Sequence, residues 1–231
     1  MTITSMANIQ AMNFYHNDIN DCNIGLSNLN GNYLRILQWN VRGMNDMVKF
    51  DQITLLLNQC DPTIDVIVLC ETWLKHEYCS LYNIRGYTAI YSCRETSAGG
   101  LAVYIKSSLK YRTVHNITEN GFHSIHTEIS LNSQLFDVLS IYRPPSFDFS
   151  RFHDILRNRL NVSKTRPFCI VGDMNVPVNL SNNNLVLQYV NLLQSLGFMC
   201  SNTFTTRTVS RNILDHVVRG VDDVMIQFSL I

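Results

Sequence analysis

The chain has 231 residues, is 46% hydrophobic, and balances 18 Lys and Arg against 18 Asp and Glu, so it can bury one ordinary core and lacks the basic excess of a non-specific nucleic-acid coat. Only 16% of its residues are charged, below the roughly 25% of typical soluble proteins, so an anionic partner must be held by a local cluster. No apolar run reaches membrane-spanning length, and the seven cysteines include no CxxC or CxxH pair, which reads as reduced intracellular thiols rather than a disulfide or zinc framework.

Residues 1–33 contain eight Asn and no Lys or Arg, and read as a disordered leader that is neither a secretory signal nor a transit peptide. From residue 34 to 231 the chain reads as one domain. "LRILQWN" is a first strand. Asn45 or Asp46 can cap a helix through Asn58, since Phe50, Ile53, Leu56 and Leu57 share a face. "DVIVLCE" is a buried strand. "YTAIYS", "GGLAVYIK", "FHSIHTEIS" and "FDVLSIYRPP" follow so closely that they suggest a single antiparallel meander. A helix over about 148–160 precedes the strand "CIVGD", and "LVLQYVNLLQSLGF" is a third helix stopped by Gly197. "ILDHVV" and "VMIQFSLI" close the chain as strands.

Four of the apolar strands end on polar residues: Asn40 after "ILQW", Glu71 after "VIVLC", Tyr142 after "LSI", and Asp173 with Asn175 after "CIVG". Strand ends gather at one rim of a sheet. Alternation puts Asp173 and Asn175 on the same side, where Pro177 ends regular pairing. Each of these is an ordinary turn or rim residue when taken singly. Together, an amide, an acid, a phenol and an Asp/Asn pair are the parts of a metal-assisted phosphoester hydrolase. A hard cation such as Mg²⁺ needs oxygen ligands, a water must lose a proton, and charge on phosphorus needs donors.

In order along the chain, "QWNVRG", "LCETWL", "IYRPP", "IVGDMN" and "TTR…ILDHVV" resemble the endonuclease/exonuclease/phosphatase superfamily, and within it the apurinic-type endonuclease domain of non-LTR retrotransposons. The resemblance implies a four-layered α/β sandwich, with two mostly antiparallel sheets packed face to face and helices outside. It implies Glu71 as the Mg²⁺ ligand, with Mn²⁺ as a substitute, and Asn40 beside metal and phosphate. Tyr142 would hydrogen-bond the phosphate, Asp173 would be the base for the attacking water, and Asn175 would orient that water. Asp215 would orient a histidine further along, and Arg207 and Arg143 would contact the DNA backbone. Double-stranded DNA is the implied partner, with a reverse transcriptase domain downstream, a monomeric state, no membrane association and a nuclear location.

Departures from the family pattern qualify that expectation. Arg42 stands where the DNA-repair branch has a further acid, and Asn212 where retroelement domains commonly carry Ser. No histidine follows Asp215 except His216, which alternation turns to the other face. The other histidines, at 16, 76, 115, 123, 126 and 153, show no ligand spacing. The family's terminal Ser-Asp-His segment and last strand are not in this sequence. The domain therefore reads as C-terminally truncated, with an unpaired sheet edge. The expected function is a Mg²⁺-dependent endonuclease that nicks target DNA. The alternatives are a catalytically crippled DNA-binding remnant and a phosphatase acting on a small phosphoester.

Overall fold

A computed structural model describes residues 13–16, 34–59, 64–94, 98–160, 166–200, 212–220 and 226–230. The strands are β1 (Asn13–His16), β2 (Arg35–Asn40), β3 (Val66–Cys70), β4 (Tyr87–Ser92), β5 (Leu101–Lys106) and β6 (Lys110–Glu119). They continue with β7 (Phe122–Leu131), β8 (Gln134–Tyr142), β9 (Phe168–Asp173), β10 (Phe198–Cys200), β11 (Asp215–Gly220) and β12 (Ile226–Leu230). The helices are α1 (Met47–Asn58), α2 (Phe149–Leu160) and α3 (Asn184–Ser195), with a short 3₁₀ helix at His76–Leu81.

Two six-stranded sheets form, in the orders β1-β12-β2-β3-β5-β4 and β10-β11-β9-β8-β7-β6. Period-two alternation sends each strand's side chains to two different apolar layers. Ile36, Val66, Val68, Val103, Ile125, Val138, Cys169 and Val171 meet between the sheets. Leu37, Ile67, Leu69 and Tyr104 face outward to Phe50, Ile53 and Leu57 of α1. Leu139, Ile141 and Ile170 face outward to Phe152, Leu156, Tyr189 and Leu193 of α2 and α3. The result is four layers: helix, sheet, sheet, helices. Phe152 is fully buried, and its truncation to Ala would cost about 3–5 kcal/mol.

Helix starts follow the sequence rules. The Asp46 side chain caps α1 by accepting from the Val48 N–H, and Asn183 caps α3 through the Leu185 and Val186 N–H groups. Gly197, at φ +81°, follows α3 in the left-handed conformation that closes helices.

Several expectations are corrected. The four central runs do not make one meander. β4 pairs with β5 in the first sheet, while β6, β7 and β8 form a meander in the second. The first sheet is not mostly antiparallel, because β1–β12, β12–β2 and β2–β3 are all parallel. The second sheet is, with β8–β9 its single parallel pair. β12, expected as a closing strand, lies on the edge of β2 with Leu37 opposite Phe228, and β12 in turn carries β1. Within the expected leader, Asn13–His16 is thus strand rather than coil. Backbone groups alone suffice to extend a sheet edge, whatever the side chains.

Candidate active site

The site lies where the inner faces of the two sheets turn from apolar to polar at one end. In the second sheet His123, Tyr142, Asp173 and Asp215 are successive Cα partners across β7, β8, β9 and β11. In the first sheet Asn40, Cys70, Leu101 and Ser92 form the corresponding row across β2, β3, β5 and β4. Partners in a row project to the same face, so four polar side chains share one edge of the second sheet. The rows are bonded across the sandwich by Asn40 to Asp173 and by Ser92 to His123.

Asn40 ties the acids together. Its amide nitrogen donates to Glu71 Oε1 at 2.8 Å and to Asp173 Oδ2 at 2.7 Å, while its oxygen accepts the Arg42 N–H at 3.1 Å. The loops after β2 and β3 are zipped by Val41 N–H to Cys70 O, Gly43 N–H to Glu71 O and Met44 N–H to Thr72 O. This fixes Asn40 against Glu71, which stands one residue past β3 at φ +54°. Asp173 is fully buried. Its Oδ1 accepts the Asn175 N–H at 3.0 Å, and the Asn175 amide nitrogen donates to Arg143 O at 2.8 Å. Asn175 therefore aims Asp173 through its own backbone, from a left-handed φ of +49°. Just before Asp173, Gly172 has φ +144°, and a Cβ there would sit 1.9 Å from Ile141 O. Only glycine lets β9 approach β8 this closely.

Sequence reasoning missed Gln38. It is two residues before Asn40 and therefore on the same face of β2. Its Nε2 donates to Asp215 Oδ1 at 2.7 Å in a buried contact. Asp215, expected to address a histidine, is held by this amide. His216 faces the other way as alternation requires. Its Nδ1 pairs with the Tyr189 hydroxyl at 3.1 Å and its Nε2 donates to Ile213 O at 3.1 Å. Burial lowers its pKa to about 4.

Arg143 requires a correction. Expected on the DNA backbone, it is buried, with its guanidinium turned inward. It donates to the carbonyls of Met174, Asn175 and Phe147, and lies over the Phe149 and Phe152 rings at 5.6 and 5.4 Å. It braces the turn that carries Asp173 and Asn175. Arg207 lies outside the described residues. Tyr142 is buried between Asp173 and His123, its ring centroid 6.1 Å from the His123 ring. His123 Nδ1 meets Ser92 Oγ at 2.9 Å, its Nε2 is buried without a hydrogen-bond partner, and burial lowers its pKa to about 4. Cys70, in the facing row, is buried. Burial first, and then Asp173 and Asp215, push its thiol pKa well above the ordinary value.

The donor set fits a hard cation. Among the described residues no three His, Cys, Asp or Glu side chains come together. Glu71 with the Asn40 amide suits Mg²⁺, which typically takes one or two carboxylates and completes its shell with water and substrate phosphate.

Residues 37–221 match the Endonuclease/Exonuclease/phosphatase family model. The fold is similar to that of the endonuclease domain of TRAS1, a telomere-specific non-LTR retrotransposon, at 16% identity, covering 82% of this chain and 86% of that one, with TM-score 0.61. It is similar to the 3′ phosphatase NExo from Neisseria, solved with a product DNA hairpin, at 14% identity, 81% and 87% coverage and TM-score 0.57. It is also similar to D. rerio TDP2, solved with a single-strand DNA product, at 16% identity, 81% and 83% coverage and TM-score 0.57.

Proposed function

Because the chain belongs to the endonuclease/exonuclease/phosphatase family, we propose that it is a divalent-metal-dependent phosphodiester hydrolase that nicks double-stranded DNA, as a retrotransposon endonuclease domain would. The observation that carries this reading is the single Asn40 amide bridging Glu71 and Asp173. It keeps a metal-binding acid and a general base at a fixed separation on opposite sheets. The endonuclease domain of TRAS1, similar over most of its length, favours DNA over a small phosphoester.

The roles follow from position. Glu71 and Asn40 would hold Mg²⁺, which when bound supplies charge neutralisation on the scissile phosphate. Asp173, oriented by the Asn175 N–H, takes a proton from the attacking water. Tyr142, beside Asp173 in the same row, donates its hydroxyl toward the phosphate. Asp215, the strand partner of Asp173, is held by Gln38. On this reading the chain works in the nucleus as a monomer, alongside a downstream reverse transcriptase domain.

The test is nicking of supercoiled plasmid in Mg²⁺ by the purified chain and by Asp173→Asn, which keeps shape and removes the base. Relaxation by the native chain and loss in the variant is the expected result. Equal nicking by both would mean that the activity is not this site's. Metal-dependent DNA binding without nicking by the native chain would favour the DNA-binding remnant instead.

A further inference from the structure

Beside the candidate active site is a cavity of about 390 Å³ lined by Trp73, Lys75, Tyr78, Leu81, Arg94 and Asn45, among others. Trp73 follows Glu71 by two residues, which places its Cα within about 7 Å of that of Glu71. We propose that this cavity takes one nucleotide of the DNA strand next to the scissile phosphate, its base against the Trp73 ring and its phosphate on Lys75 and Arg94. The inference rests on the reading of DNA as substrate.

Trp73 is held for a purpose other than packing. Its φ is +58°, a conformation that bulky aromatic residues rarely adopt and that is retained where surrounding structure imposes it. Its N–H is fixed by Gly99 O at 2.9 Å. One part of its ring lies against Gly43, itself at φ +92°, where any Cβ would stand 2.5 Å from Trp73 Cε3. The backbone of the loop after β2 thus sets the ring plane. The indole Nε1 is buried with no hydrogen-bond partner.

The rest of the lining matches a nucleotide. Tyr78 and Leu81 are exposed large side chains, at 50% and 60%, on the 3₁₀ helix beside the cavity. Stacking on aromatic faces tolerates any base, because every base has a π-face. Among the described residues the lining holds two cations and no carboxylate, and nearby Asp46 is turned into α1 to cap Val48. A planar aromatic wall and two cations suit a base with its phosphate. A lipid chain would leave the two cations unused, and an acidic peptide would leave the ring faces unused.

Trp39 and Trp73 are the chain's two tryptophans, so Trp39→Phe leaves Trp73 as sole fluorescent reporter. This variant is titrated without metal against dAMP and against a short single-stranded oligonucleotide. Saturable quenching is expected, tighter for the oligonucleotide. Tyr78→Ala and Lys75→Ala, both at exposed positions, should each weaken binding about tenfold with unchanged melting. Absence of quenching, or quenching indifferent to both variants, overturns the inference and leaves the nuclease reading standing if plasmid is still nicked. Equal affinity for dAMP and oligonucleotide overturns the assignment to a DNA strand. Quenching that responds to the variants in a chain that nicks nothing supports the pocket and removes the nuclease reading.

Discussion

At one end of the sheets Asp65, Asp137 and Glu128 meet arginines; at the end that carries the site, Glu71, Asp173 and Asp215 meet amides. Asp65, just before β3, accepts the Arg35 N–H at 2.9 Å and pairs with its guanidinium at 3.6 Å. Asp137, near the start of β8, pairs with His126 and Arg166, and Arg166 and Arg112 both pair with Glu128. At the other end Glu71, Asp173 and Asp215 accept from the neutral side chains of Asn40 and Gln38. An arginine cancels a carboxylate's charge, whereas an amide orients it and leaves the charge in place. The first arrangement secures the end of the sheets away from the site. On the proposed reading, the second keeps negative charge available for a cation and a proton.

The comparison is sharpest in an isosteric pair. Asp173→Asn should lower metal-dependent nicking by about 10²–10⁴-fold while the domain stays folded. Asp65→Asn should do the opposite, melting earlier while nicking at the native rate when folded. If Asp65→Asn also loses activity, the two ends are not separable. Acid titration gives the next largest effect. His123, in the site row, and His216, facing α3, both have folded pKa values lowered by burial to about 4 from the ordinary 6.5. The unfolded chain binds the extra protons between those values, so stability is full above pH 6.5 and falls as the pH drops toward 4, by up to about 3 kcal/mol for each ring. Denaturant melts at pH 7 and pH 4.5 read this directly, and a flat profile would mean that these rings are not held neutral.

Smaller still is Gln38→Leu, which leaves the buried Asp215 without this donor. It should cost about 1–3 kcal/mol in a chemical melt and lower nicking as well, since Asp215 and Asp173 are strand partners. Arg112→Ala, at the outer end of the arginine–carboxylate network, should change stability by less than about 1 kcal/mol, because its side chain is 69% exposed and the pair is screened by solvent. A larger loss there would mean that the network acts as a unit.

Much of this contrast was readable before the fold. Strong periodicity and caps located α1 and α3, and strand-end polar residues pointed to Asn40, Glu71, Tyr142 and Asp173. β6 was missed because it is a largely exposed edge strand: "KYRTVHNITE" offers no apolar run, and its pairing with β7 is made by the backbone. The split of the central hairpins between two sheets depends on which inner faces meet, a long-range fact that alternation within one strand does not encode. Gln38 could have been found by counting two back from Asn40. The burial of Arg143 could not, because it depends on three carbonyls and two rings brought together by the β8–α2 connection, β9 and α2.

Cys70 turns the site into its own reporter. Only a thiolate reacts with alkylating reagents at a useful rate, and this thiol is fully buried between the sheets with its pKa pushed well up. While the rim is closed such a reagent has neither access nor a nucleophile, so Cys70 is labelled only when the sandwich opens there. Its labelling rate in native buffer would therefore measure how often the two rows part, on a chain that needs no added probe and with no substrate present.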